Sequence, residues 1–121
     1  MESACKGASK AGGIAIGILP GDRKETANPY VTIPVVTAMG TTRNTIIVRT
    51  ADALIAVDGN FGTLTEIVYS LDMKKPLALL KSWPVEKLGV DPSLFRIAST
   101  PEEAVEFVFE AVEKRIAAAK P

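Results

Sequence analysis

Histidine is absent from this 121-residue chain, and cysteine occurs once, at Cys5. A Ser-His-Asp triad, a Cys-His pair and any zinc site with imidazole ligands are excluded, and one thiolate cannot build a cysteine cage. No internal disulfide can form, and Cys5, in a stretch with helical character, reads as a small packed residue rather than a nucleophile. Any catalysis would rest on Asp, Glu, Lys, Arg, Tyr or hydroxyls. Net charge is missing too, since 14 Lys and Arg offset 14 Asp and Glu. Without a basic stripe or an acidic arm, nucleic acid is not an expected partner. Apolar runs are broken well short of the roughly 20 residues that cross a bilayer, and no basic-then-apolar segment opens the chain. The expectation is a cytoplasmic protein with no membrane partner.

With 47% hydrophobic residues, the chain has the material for one core, and its length suits one domain, residues 1–121. Glu2 to Ala11 reads as a helix closed by Gly12 and Gly13, and Ile14 to Leu19 as a buried strand stopped by Pro20 and Gly21. The β-branched "YVTIPVVTA" reads as a strand whose Pro34 places it at an edge or bulge. Thr42 to Thr50 reads as a short helix and Ala53 to Val57 as the clearest core strand. Thr63 to Met73 follows as a helix, then strands at Pro76 to Leu80 and Leu94 to Ser99. The last helix, Pro101 to Ala119, carries an apolar stripe of Val105, Val108, Val112 and Ile116. Strands alternating with helices predict an α/β fold of three layers, a parallel sheet with helices on both faces. No repeat or low-complexity tract interrupts it.

In such a sheet, ligands sit outside the carboxyl ends of the strands, where helix N-termini face anions. The loops at Gly21, at Gly40 to Asn44 and at Gly59 to Thr63 follow three strands, and are expected to crowd one rim with Arg43 and Glu66 facing a common cleft. Gly59 and Gly62 would let backbone N–H groups approach a phosphate, with the Thr63 hydroxyl beside them. The stretch lacks the lysine of a Walker loop and the full G-x-G-x-x-G of a dinucleotide fingerprint. A plainer reading competes, because Thr63 and Glu66 have the T-x-x-E spacing of a capping box. Thr100 and Glu103 repeat that spacing at a helix with no expected site.

The blocks "AGGIAIGILPGD", "ANPYV" and "TAMGTTRNTIIVRTADALIAVDGNFGTLTEI" resemble, in order and spacing, the Rossmann-like superfamily of molybdenum cofactor carriers and LONELY GUY phosphoribohydrolases, the latter long labelled lysine decarboxylases. The resemblance covers the chain to about Leu80. In the hydrolase branch an arginine and a glutamate act in cleaving the N-glycosidic bond of a nucleoside monophosphate, roles that would fall on Arg43 and Glu66. The ligand-binding set it implies is Gly21, Gly40, Thr41, Arg43, Asn44, Gly59, Asn60, Phe61, Gly62, Thr63 and Glu66, with no metal site. Asn44 stands where the hydrolase motif has lysine, and Asp58 where it has proline or glycine. Arg-Asn with "GTLTE" is more similar to the carrier branch.

The resemblance also implies that the family's first strand, first helix and second strand have no counterpart here, since "MESACKGASKAGG" resembles the middle of its second helix. An unpaired sheet edge would then favour a homo-oligomer, with the helix Glu2 to Ala11 and the stretch Ile46 to Val48 at the interface. Three functions stay open. One is a binder or carrier of a phosphate-bearing small molecule, a nucleotide or the molybdenum cofactor as cargo, with no other cofactor required. Another is a nucleoside 5′-monophosphate phosphoribohydrolase. The third is an interaction subunit without a working site.

Overall fold

Gly12, with φ of +77°, turns the chain out of its first helix, where Gly13 N–H donates to Ala8 O at 2.8 Å. A left-handed residue costs glycine nothing sterically, so a helix stops cleanly there. The computed structural model describes residues 1–120. Two compact units are present, Met1–Arg43 and Asn44–Pro121. The division falls inside one helix, and each unit is built around its own parallel sheet.

The first unit holds α1 (Glu2–Lys10), β1 (Ile16–Leu19) and β2 (Ile33–Val36). The strands pair in parallel from Ile16 with Ile33 to Leu19 with Val36. Pro34 sits in β2 as expected for an edge, since a two-stranded sheet has only edges. Burial differs from the sequence expectation. Ile14 and Ile16 are 69% and 59% exposed, and every residue of β2 is exposed. The physical reason is coverage: α1 has no buried residue, so two strands and one short helix cannot shield both faces. Cys5 is half-buried and free, and its sulfur accepts from Asn28 Nδ2 at 3.7 Å.

The second unit begins within α2 (Arg43–Thr50) and continues through β3 (Leu54–Val57), α3 (Phe61–Asp72), β4 (Leu77–Leu80), β5 (Phe95–Ala98) and α4 (Pro101–Ala119). Strand order is β3-β4-β5, all parallel. Side chains alternate across the sheet because the strand period is two. Leu54, Ala56, Leu77 and Leu79 join Ile67 and Leu71 of α3 in one core. Ala53, Ile55, Ala78 and Leu80 join Ala104, Phe107 and Val108 of α4 in the other. Ile67, Leu77 and Leu79 are almost completely buried, each contributing about 1.5–3 kcal/mol relative to exposure. This unit therefore has the two covered faces that the first lacks.

The apolar stripe of α4 is displaced from its expected line. Val105 and Ile116 are 45% and 56% exposed, while Ala104 and Val108 face the sheet. Small Ala104 packs against Ala78 and Ala98, which lets the helix lie close. The cap at Thr100 is as expected, its hydroxyl accepting from Glu103 N–H at 3.1 Å. The Glu103 carboxylate accepts from Ser99 N–H at 2.9 Å.

Candidate functional site

Strand ends carry the residues singled out by the sequence, and each unit brings together its own share. In the first unit, the loops after β1 and β2 are stitched to one another at the carboxyl ends. Ala38 N–H donates to Gly21 O at 2.8 Å, and Gly40 N–H donates to Pro20 O at 2.9 Å. The Thr37 hydroxyl donates to Leu19 O at 2.6 Å. Ala38 and Gly40 both adopt positive φ, 52° and 58°, which glycine adopts freely and alanine only under strain. Thr41 is exposed in the short turn Gly40–Thr42. Arg43 Nη1 donates to Ile18 O at 3.0 Å, while its Nε is buried and has no hydrogen-bond partner. Arg43 is thus half-buried over the strand ends rather than a solvated first-turn residue.

In the second unit, the junction "DGNFGT" differs from the capping-box reading of it. Helix α3 starts at Phe61, two residues before the expected Thr63, because Asn60 is its N-cap. Asn60 has extended backbone angles, and its Oδ1 accepts from Thr63 N–H at 2.8 Å and from the Thr63 hydroxyl at 3.1 Å. The expected Thr63–Glu66 capping box is therefore replaced by Asn60 and Thr63, an N-x-x-T spacing present in the sequence. Glu66 lies in the second turn of α3, half-buried, with its carbonyl accepting from the Ser70 hydroxyl at 2.6 Å.

Both glycines lie close to neighbouring side chains. A Cβ on Gly59 would lie 2.8 Å from Trp83 Nε1, and one on Gly62 would lie 3.2 Å from Asn60 Oδ1. A side chain larger than hydrogen at either position would press on these neighbours. Asn44 completes the arrangement from α2. Only 2% exposed, it donates through Nδ2 to Gly62 O at 3.2 Å and to Thr65 Oγ1 at 2.9 Å. Asn44 Oδ1 is buried without a hydrogen-bond partner.

Trp83, which the sequence reading missed, covers this junction. Its Nε1 donates to Asn60 O at 3.2 Å, and its ring stacks on Phe61 with centroids 6.2 Å apart. The available signal was its place in "KSWP", directly after β4, level with Asp58 after β3. Asp58 N–H donates to Leu80 O at 3.0 Å, so the two strand ends are backbone neighbours. What the unit offers chemically is a helix start rich in N–H groups, flanked by aromatic rings and by charges of both signs. Among the described residues, no group of three His, Cys, Asp or Glu side chains is placed to hold a metal ion. No helix among them is long and apolar enough to cross a membrane.

A family model described as the SLOG cluster4 family matches residues 1–111. An uncharacterised protein of Archaeoglobus fulgidus is 41% identical over 114 residues, covering 94% of this chain and 71% of that one. Among solved structures, the molybdenum cofactor binding protein of the phototrophic bacterium Rippkaea orientalis is similar with a TM-score of 0.83 and 36% identity, over 93% of this chain and 71% of its own. The molybdenum cofactor carrier protein of Chlamydomonas reinhardtii is similar with a TM-score of 0.74 and 37% identity, over 94% of this chain and 69% of its own.

Proposed function

The chain belongs to the SLOG cluster4 family, within the Rossmann-like superfamily of molybdenum cofactor carriers and LONELY GUY proteins, and we propose that it binds and carries the molybdenum cofactor as cargo. The observation that carries this reading is the likeness, over more than nine-tenths of the chain, to proteins named for binding or carrying that cofactor. The chemistry of the strand ends agrees with it. The cofactor is a pterin with a terminal phosphate. A helix start presents N–H groups that the helix itself cannot satisfy, at the positive end of its dipole. Phe61, Gly62 and the Thr63 hydroxyl stand there in α3. Arg43, with Thr41 and Gly40 beside it at the ends of β1 and β2, offers a guanidinium whose Nε has no internal partner.

Carriage is favoured over hydrolysis by Asn44. At the position where the hydrolase motif has lysine, this chain has a buried amide engaged with the first turns of α3. The test is retention. Cofactor released anaerobically from a molybdoenzyme is mixed with the protein, passed through a desalting column and measured as the oxidised pterin. Stoichiometric retention is expected, and loss of the pterin to the small-molecule fraction would overturn the reading. Incubation with nucleoside 5′-monophosphates should release no base; sustained release seen by chromatography would replace the carrier with a phosphoribohydrolase.

Self-association belongs to the same proposal. Ile16, Ile33, Val35 and Val36 are exposed on a two-stranded sheet, an apolar surface suited to a second copy. Within the expected stretch Ile46 to Val48, Val48 is fully buried, which leaves Ile46 and Ile47, both half-buried, to contribute. Light scattering on dilute protein should give a mass above that of one chain, and a stable monomer would remove this element.

A further inference from the structure

We infer that the depression at the carboxyl ends of β3 and β4 takes a 2-amino-4-oxopyrimidine ring, the hydrogen-bonding end of a pterin, with Asp58 reading its N–H edge. The class of ligand rests on the carrier reading; the assignment of this surface does not. The depression is open, of about 230 Å³, and is lined by Asp58, Gly59, Lys81, Ser82, Trp83 and Pro84.

Backbone geometry is the first argument. Val57 and Leu80 are register partners, and each is followed by a non-glycine residue in the left-handed region, Asp58 at φ 62° and Lys81 at φ 52°. Such conformations persist only where the surrounding structure holds them, and they gather at binding sites. Here they turn a carboxylate and an ammonium off adjacent strand ends. Among the described residues, neither is in an ion pair.

The second argument is the inventory of partners. Asp58 Oδ1 accepts from Gly59 N–H at 3.0 Å, which leaves further acceptor positions on both oxygens. The Ser82 hydroxyl is buried and has no hydrogen-bond partner. Trp83 supplies a flat wall held in orientation by its bond to Asn60 O and its stack on Phe61. A planar heterocycle gains from stacking on such a wall. The 2-amino-4-oxopyrimidine ring presents N3–H and the 2-amino group side by side, the donor pair that a carboxylate accepts in bidentate fashion. Its 4-oxo group is an acceptor, matched by the Lys81 ammonium or the Ser82 hydroxyl.

Equilibrium dialysis of the full chain against pterin and against lumazine tests the assignment. Lumazine has a 2-oxo group in place of the amine, and so turns an acceptor toward Asp58. The wild type should hold pterin about tenfold tighter than lumazine or better. Asp58→Asn keeps an oxygen for Gly59 N–H and tolerates the left-handed backbone, yet exchanges an acceptor for a donor. It should abolish the preference while leaving Trp83 emission unchanged. Equal affinity of the wild type for both rings, or a preference intact in Asp58→Asn, would overturn the assignment. A chain that retains the whole cofactor but shows no preference remains a carrier without this ring site. One that discriminates through Asp58 yet loses the cofactor has the ring site and is not a carrier.

Discussion

The carboxamide of Asn44 holds the first turn of α3 from the side, with its Nδ2 3.2 Å from Gly62 O and 2.9 Å from Thr65 Oγ1. Thr65 Oγ1 in turn donates to Gly62 O at 2.7 Å, so three groups close a small buried network. Neither contact is with solvent, and the strength of the network comes from that exclusion. Asn44→Ala should cost about 1–3 kcal/mol, the penalty of leaving a buried partner unsatisfied. Asn44→Asp should cost more, because it places a carboxylate oxygen against a carbonyl in a buried site without a cation. Urea unfolding of both variants checks the order, and an Asp variant as stable as wild type would show that the network is dispensable.

Gly59→Ala should displace Trp83. The added methyl would stand 2.8 Å from Nε1 and 3.2 Å from Cδ1 of the indole, closer than carbon tolerates. The ring must give up its bond to Asn60 O, at a cost of about 1–3 kcal/mol for overpacking. Trp83 is the sole tryptophan, so its emission reports the event directly. A red shift with lowered stability is expected, and an unchanged spectrum would place the ring elsewhere in solution.

Arg43→Ala should weaken binding of a phosphate-bearing ligand at least tenfold, since a charge-assisted bond contributes about 1.5–3 kcal/mol. Arg43→Lys should not restore it, because an ammonium cannot bond to Ile18 O and also present a planar fork. Calorimetric titration with a pterin phosphate decides the point. Equal affinity in wild type and Arg43→Ala would remove the residue from binding.

Asp91 gives the chain a local response to acid. Its carboxyl is held below the ordinary value of 3.8, first by the Ser93 N–H, then by the Ser93 hydroxyl and, to a smaller extent, by Lys74. Asp91 Oδ1 accepts from Ser93 N–H at 2.9 Å and caps the turn Pro92–Leu94. A depressed folded value means that the contribution is present above 3.8 and is lost as pH falls through the lower folded value. Asp91→Asn should therefore flatten the stability change below about pH 4. Amide exchange at Ser93 followed against pH measures it, and identical profiles in the two proteins would refute the link.

Much of the architecture was legible along the chain. Pro101 to Ala119 was bounded by Thr100, Pro101 and the pattern that follows, and these local signals act within one helical turn. Continuous apolar runs such as "ADALIAV" and "PLALL" predicted parallel strands, because a strand covered on both faces needs no polar alternation. The start of α3 was misplaced, since Asn60 and Thr63 both have residues that cap helices, and the choice depends on which backbone angles the chain adopts after Val57. Arg43, Asn44 and the glycines were legible as residues of interest. Their contacts with Ile18, with the first turn of α3 and with Trp83 were not, because those partners lie far along the chain.

Local propensity and hydrophobic period determined by themselves the order of helices and strands, the parallel class and the strand-end loops where chemistry gathers. Those features depend on neighbours a few residues apart. Only the tertiary structure decided that Gly59 admits Trp83, that Asn44 faces inward to α3, and that Ala104 rather than Val105 faces the sheet. It also decided that β1 and β2 stand as a sheet of two, with residues exposed that their apolar character would bury. Each of these outcomes joins residues tens of positions apart, and burial is a property of what packs on a surface, which no single segment carries.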